Sequence, residues 1–244
     1  MRTFYTILFL LIFVVVEAQQ NIDLDNDKVT ISIGSGLSFY SVKDQNISNE
    51  KYSGVLKPIS FSWSSSLTDR QFRDFYFSIQ TGNIHNLSFE AHVNELTMGW
   101  DYGFKLNPNK QYDLFIGPAP FFYFHNRNQS ILLNYHINSN IGIVSLGSVF
   151  GIKSNNLNGF NYKFAGRLGL LSACVNTEND RITKILSPFN GLQFFFSAQS
   201  SYKLSNWADV GFKYSFQTYY ITAWNKMYSL SDQLTLNLII SFQQ

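Results

Sequence analysis

His136-Ile137-Asn138-Ser139-Asn140 places a histidine three residues before a serine. A histidine beside a serine can take the hydroxyl proton and make the oxygen a nucleophile for acyl transfer. Spacing decides whether it does. Along a strand, residues two apart share a face and residues three apart do not. His136 and Ser139 therefore fall on opposite faces, and only a bulge would unite them. A second set is His85, Glu90, His92 and Asp101, carboxylates and histidines of the kind that activate water. With 4 histidines and 16 acids in the chain, such a grouping arises readily by chance. A third set consists of charges on one face of alternating segments: Asp74, Glu90, His92, Asp101, Lys163, Arg167, Asp209 and Lys213. Cys174 is the sole cysteine, which excludes an intramolecular disulfide and a Cys-rich metal site. Asn46, Asn86 and Asn128 open Asn-X-Ser sequons, which an Asn- and Ser-rich chain contains by chance. No catalytic residue is assigned, and no cofactor or metal is expected.

The elements carrying these residues are strands. The 244 residues are 45% apolar, 17% aromatic and only 14% charged, with net charge +2. Soluble domains carry about 25% charge. Disorder needs low hydrophobicity and high net charge, so it is excluded. A charge of +2 gives no large basic footprint, so nucleic acid is not an expected partner. Arg2, the apolar run Phe4 to Val16 and Val16-Glu17-Ala18 before Gln19 match a secretory signal peptide over 1–18. The run is too short for a transmembrane helix, which takes about 20 residues. The expected mature chain is 19–244.

From residue 28 onward the pattern has period two. Val29, Ile31, Ile33, Leu37 and Phe39 alternate with Ser and Gly; Phe212, Tyr214 and Phe216 alternate with Gly211, Lys213 and Ser215. Ten strands are expected, near 28–42, 53–66, 70–81, 86–104, 112–124, 132–151, 161–175, 192–204, 207–220 and 228–242. In 86–104 the apolar phase shifts between Val93 and Leu96, which predicts a β-bulge. Pro118 and Pro120 interrupt 112–124, and proline is confined to strand edges, ends and bulges.

Several strands exceed the five or six residues usual in globular sheets. Their length suits membrane crossing, for which about 9–11 residues suffice. The expectation is an all-β fold, a single up-and-down antiparallel transmembrane β-barrel of about ten strands, within 8–12. Its polar face, with Ser60, Ser62, Ser64, Asn134, Asn138, Gln193, Ser197 and Gln199, is nearly uncharged and suits a packed lumen. Aromatics gather near strand ends, where a ring suits the membrane–water interface: Tyr40, Trp63, Tyr102, Phe104, Tyr123, Tyr162, Tyr202, Trp207, Tyr219, Tyr220, Trp224 and Tyr228.

The last strand, Leu234 to Phe242, ends almost at the chain end. It resembles the closing strand of bacterial outer-membrane barrels, with the aromatic third from last. Together with the leader ending in Ala18-Gln19-Gln20, the chain resembles the small outer-membrane β-barrel proteins of Bacteroidetes-type bacteria. The resemblance implies an outer-membrane location, contact with the lipid bilayer and lipopolysaccharide, and insertion by barrel-assembly machinery. It carries no functional motif.

Four roles follow for comparison. The first is a structural or partner-binding barrel, and the second a narrow pore. The third is a hydrolase of the lipid A deacylase type, whose His and Ser stand two apart, unlike His136 and Ser139. Ten-stranded outer-membrane proteases, with carboxylates and a histidine at the outer rim, are the precedent for the Glu90 and His92 set. The fourth is a secreted carbohydrate-binding β-sandwich. The eight charges are expected to form a structural network across a narrow lumen.

Overall fold

The computed structural model describes residues 28–45, 49–107, 112–132, 135–154, 159–176, 182–222 and 226–243. The leader expected over 1–18 lies outside these, as do Asn134 and Trp224. The strands are β1 (Lys28–Asp44), β2 (Lys51–Thr68), β3 (Gln71–His85), β4 (Glu90–Lys105), β5 (Tyr112–Leu132) and β6 (Tyr135–Ser154). They continue with β7 (Phe160–Asn176), β8 (Ile182–Leu186), β9 (Gly191–Lys203), β10 (Ala208–Ile221) and β11 (Met227–Gln243). Every pairing is antiparallel between neighbours, and β1 pairs with β11 from Lys28↔Gln243 to Asp44↔Met227. The sheet therefore closes on itself, and a sandwich is ruled out.

Eleven segments make ten barrel strands because β8 and β9 run in line against β7. Ser172 pairs with Leu186 and Leu168 with Phe194. The turn Ser187–Asn190 is looped out between them. The segment expected as a long connector, 176–191, thus holds a short strand as well.

Side-chain alternation sets the two surfaces. On β1, Ile33, Leu37 and Phe39 are exposed, while Ser32, Ser38 and Tyr40 point inward and are buried. On β11, Leu234, Leu236 and Leu238 are outside, and Gln233, Thr235 and Asn237 inside. An exterior of Ile, Leu and Phe over a polar interior is the arrangement of a barrel in lipid. At the end holding the chain termini, Tyr102, Phe104, Tyr162, Tyr202 and Trp207 are exposed. At the far end Phe39, Tyr220 and Tyr228 are exposed. These form the two aromatic girdles. Tyr40, Tyr123 and Tyr219, expected among them, are instead buried in the lumen.

The bulge expected in β4 is absent. Its register with β3 runs without a break from Gln71↔Phe104 to His85↔Glu90. The shift in phase has another cause. Near the far end Ala91 and Val93 point inward, in phase with Glu95, Thr97 and Asp101. Their outward neighbours there are Glu90, His92 and Asn94. Ile141 and Ile143 on β6 likewise face inward, with Asn138 and Asn140 outside. Asn138 is thus on the exterior rather than on the expected lumen face. The interior at this end is an apolar cluster that includes Val42, Tyr52, Leu56, Ile84 and Met227. Beyond the girdle the exterior meets water instead of lipid, so the polarity of the two faces inverts while the pleat continues unbroken.

True register shifts lie elsewhere. On β7 Leu146↔Leu171 is followed by Gly147↔Gly169, leaving Leu170 as the extra residue, and both Leu170 and Leu171 are exposed. β5 is the longest strand despite its prolines. Its ladder with β4 is open between Gly99↔Phe121 and Phe104↔Ile116 without a shift in register, while its pairs with β6 continue through Pro118↔Ser148 and Pro120↔Leu146. The missing proline donors thus fall on the side where the ladder is already open. Gly117 permits the close approach there: a Cβ would lie 1.7 Å from the Tyr102 carbonyl oxygen.

The surfaces give a direct test. Phe212 and Leu236 are paired across β10 and β11, both more than half exposed, at 63% and 53%. Replacing either with arginine is expected to cost about 2–4 kcal/mol near the bilayer midplane. Ser197→Arg, whose side chain enters a lumen cavity, is expected to leave insertion intact. Folded yield in vesicles of all three variants checks this; equal damage would contradict the face assignment.

Candidate functional site: the barrel lumen

Two polar clusters occupy the lumen, one in each half. The cluster nearer the termini is ionic. Arg167 on β7 donates from Nε and Nη2 to the Asp101 carboxylate on β4, at 2.8 and 2.5 Å. Its guanidinium lies 4.3 Å from the Tyr76 ring centroid. Lys163 pairs with Asp74 and sits over the Phe72 ring. Lys105 pairs with Asp113 at 3.1 Å. Asn161 donates to Asp209 at 3.5 Å. β4 and β7 are not neighbours in the sheet, so the Arg167–Asp101 pair crosses the lumen.

Six of the eight charges singled out from the sequence face the interior here: Asp74, Asp101, Lys163, Arg167, Asp209 and Lys213. Glu90 and His92 do not. Both lie on the exterior at the far end, where the inverted polarity puts the polar side chains outside. His92 contacts Thr81 and Asn83 on the neighbouring strand, at 3.2 and 2.8 Å.

The second cluster centres on Glu95, which the sequence reading left out. Tyr40 donates to its Oε1 at 2.6 Å, and His125 Nδ1 lies 3.1 Å from the same oxygen. The Tyr123 hydroxyl and the Gln80 amide also donate to the carboxylate. Ser229 donates to the Tyr40 oxygen at 3.1 Å. Side chains from β1, β3 and β5 thus meet on one buried carboxylate of β4, and β11 joins through Tyr40. Towards the termini an aromatic layer follows. Tyr123 stacks on Tyr219 with centroids 3.6 Å apart, and Phe195 packs edge-on to Tyr219 and Phe121. β6 and β7 separate β5 from β9 and β10 around the ring, so this layer crosses the lumen.

At the far rim Ser139 donates to Asp44 at 2.9 Å. Arg127 lies 3.9 Å from the Tyr52 ring centroid and donates to Gln129 at 2.8 Å. The β5–β6 register is regular from His136 to Ser139, so no bulge brings these two to one face. The His136 side chain lies outside the described residues. His85, Glu90 and His92 lie at the far end, while Asp101 is tied to Arg167 in the other half. Neither hydrolytic set is assembled. Among the described residues no three His, Cys, Asp or Glu side chains converge as a metal site. Cys174 is buried on the lumen face beside Ser172.

Open space lies in the termini half. A cavity of about 370 Å³ is lined by Ser62, Asp74, Tyr76, Lys163, Arg167 and Lys213 among others. A void of about 40 Å³ continues from Tyr76, Arg167 and Lys213 towards Phe195.

A closed ten-stranded antiparallel barrel with an apolar exterior, aromatic girdles and a hydrogen-bonded interior has the architecture of outer-membrane β-barrels. One solved structure agrees on the fold. The chain is similar to the outer membrane protease OmpT from Escherichia coli, with a TM-score of 0.54 over 91% of this chain and 98% of that one, at 12% identity. Weaker similarity reaches the translocator domain of the autotransporter NalP from Neisseria meningitidis, with a TM-score of 0.46, 8% identity and 91% of each chain covered. It also reaches Ail of Yersinia pestis, with a TM-score of 0.37, 8% identity and coverage of 87% and 97%. No family model and no curated protein matches the chain. At 12% identity the likeness to OmpT concerns the fold alone.

Proposed function

We propose that this protein is an integral outer-membrane barrel with a sealed lumen, acting as a structural or partner-binding element of the envelope. The observation that carries the reading is the plug. The Glu95 cluster and the Tyr123–Tyr219–Phe195 layer fill the section between the far rim and the cavity. A solute would have to displace several buried, mutually bonded side chains, which weighs against a narrow pore. The separation of Ser139 from the face of His136 weighs against a lipid A deacylase-type hydrolase. Partner binding is supported by two apolar side chains at the far end, Leu87 and Phe189, which are fully exposed. The Phe189 turn is fastened to the β10–β11 connection by Thr222, whose hydroxyl and N–H both donate to the Asn190 carbonyl at 3.0 Å.

In this reading the leader over 1–18 exports the chain and the barrel-assembly machinery inserts it. Lipid and lipopolysaccharide then cover the apolar belt. The Ala18-Gln19-Gln20 leader end and the closing strand support a Bacteroidetes-type envelope as the setting. Because a closed barrel leaves no strand edge and pairs its backbone internally, the protein is expected to resist detergent until boiled. Outer-membrane fractions are expected to contain it after carbonate washing, with unboiled samples migrating differently from boiled ones. Identical migration, or release by carbonate, would overturn the proposal.

A further inference from the structure

The termini half of the lumen has a feature that closure does not require. The cavity of about 370 Å³ lies within the range of small-molecule pockets, roughly 300–1,000 Å³. Its rim carries Thr30, Ser66, Lys105, Lys153 and Asn161, all within a few residues of strand ends on the termini side. It therefore opens towards that side and ends blindly against the plug.

The charge in the cavity is unbalanced. Five cations line it, Lys105, Lys153, Lys163, Arg167 and Lys213, against the three carboxylates Asp74, Asp113 and Asp209. Asp101, outside the lining, is taken by Arg167. Asp74 is taken by Lys163 and Asp113 by Lys105. Asp209 accepts from Asn161. Lys153 acts electrostatically on Asp74, which leaves Lys213. Among the described residues it makes no ion pair and no hydrogen bond; Arg167 and Lys163 repel it, and Asp101 and Asp74 attract it only from beyond pairing distance. Lys213 is half-buried, and an ammonium drawn partly out of water without a partner is disfavoured. The Tyr76 hydroxyl, at the same boundary between cavity and void, is buried and also without a partner. Two donors without acceptors, one cationic, face one cavity, against a single unpartnered acceptor, Asp74 Oδ1, whose carboxylate is paired with Lys163. That is the complement of an oxyanion.

We propose that this cavity is a binding site for a small carboxylate or phosphate anion entering from the termini side, anchored by Lys213 with the Tyr76 hydroxyl as second donor. Arg167 and Lys163 contribute mainly field, because Arg167 Nε and Nη2 are bonded to Asp101 and Lys163 is paired with Asp74. The proposal stands apart from the sealing of the lumen. A conducting barrel would still bind at Lys213, and binding and conductance are read separately.

The experiment is titration calorimetry of the full folded protein in detergent. Inorganic phosphate and succinate are the probes, with sodium chloride at matched ionic strength as reference. Saturable binding of at least one probe is expected, and which one saturates separates phosphate from carboxylate as the recognised group. Lys213→Gln is expected to weaken it at least tenfold while migration remains heat-modifiable, and Lys213→Arg to retain it. Ser62→Phe, which fills the cavity without touching Lys213, is expected to abolish it. If neither anion gives saturable heat beyond the chloride reference, the proposal fails. It fails equally if folded Lys213→Gln and Ser62→Phe bind as tightly as the parent.

Discussion

Glu95→Ala is expected to be among the most damaging single substitutions in the lumen. The carboxylate is 2% exposed and receives Tyr40, Tyr123 and Gln80 as donors, with His125 against the same oxygen. Truncation leaves the buried Tyr123 hydroxyl without its acceptor and strips Tyr40 and Gln80 of their shortest bonds, leaving them the longer contacts to His125 and Ser231. An orphaned buried group costs about 1–3 kcal/mol, so a loss of about 2–3 kcal/mol is expected. Glu95→Gln keeps an oxygen for the two tyrosines but turns an amide towards the Gln80 amide, so it is expected to cost less. Urea unfolding of the barrel in detergent, followed by the unboiled gel band, measures both. An alanine variant as stable as the parent would show that the hub does not hold the strands together.

Arg167→Ala comes next. Its guanidinium binds Asp101 in a fork, and the carboxylate is 1% exposed. Removing one partner of a buried ion pair costs about 3–5 kcal/mol, because the other charge is left uncompensated. Arg167→Lys is expected to recover part of the loss, since one ammonium cannot reproduce the two-pronged geometry. The double variant Arg167→Ala with Asp101→Asn is expected to be more stable than Arg167→Ala alone, which separates the cost of an orphaned charge from lost packing. If the double variant is the less stable, the pair is not what governs this position.

The ten strands were legible because the period-two pattern persists wherever a pleat separates two different environments. β5 shows where composition misleads. Residues 112–132 are apolar on both faces over much of their length, yet the strand is the longest in the barrel. Its prolines were tolerated because the open ladder on the β4 side needs no donors from them. The β4 phase shift shows a subtler limit. Period two reports the contrast between faces and not which face is inside. Where the strand leaves the lipid the contrast reverses, and Ala91 and Val93 change from a lipid-like signal to a lumen core. That reversal carried Glu90 and His92 into the expected lumen set and left Glu95 out. Parity was the available signal: Glu95 is in phase with Asp101, and His125 with Asp113, with no register shift between them on β4 or β5. The ionic half was readable because Lys163, Arg167, Asp209 and Lys213 keep one parity on strands whose phase does not invert there. The pairings across the lumen, Arg167 with Asp101 and Lys163 with Asp74, depend on strand stagger and closure, which no single strand encodes.

Closure of the lumen by the Glu95 cluster and the aromatic layer is the central claim, and ion conductance tests it most directly. The refolded protein, confirmed by heat-modifiable migration, would be inserted into a planar lipid bilayer and held at fixed voltage in molar potassium chloride. The predicted result is a membrane current that stays at baseline after insertion. Discrete, reproducible conductance steps from the folded barrel would contradict the sealed lumen.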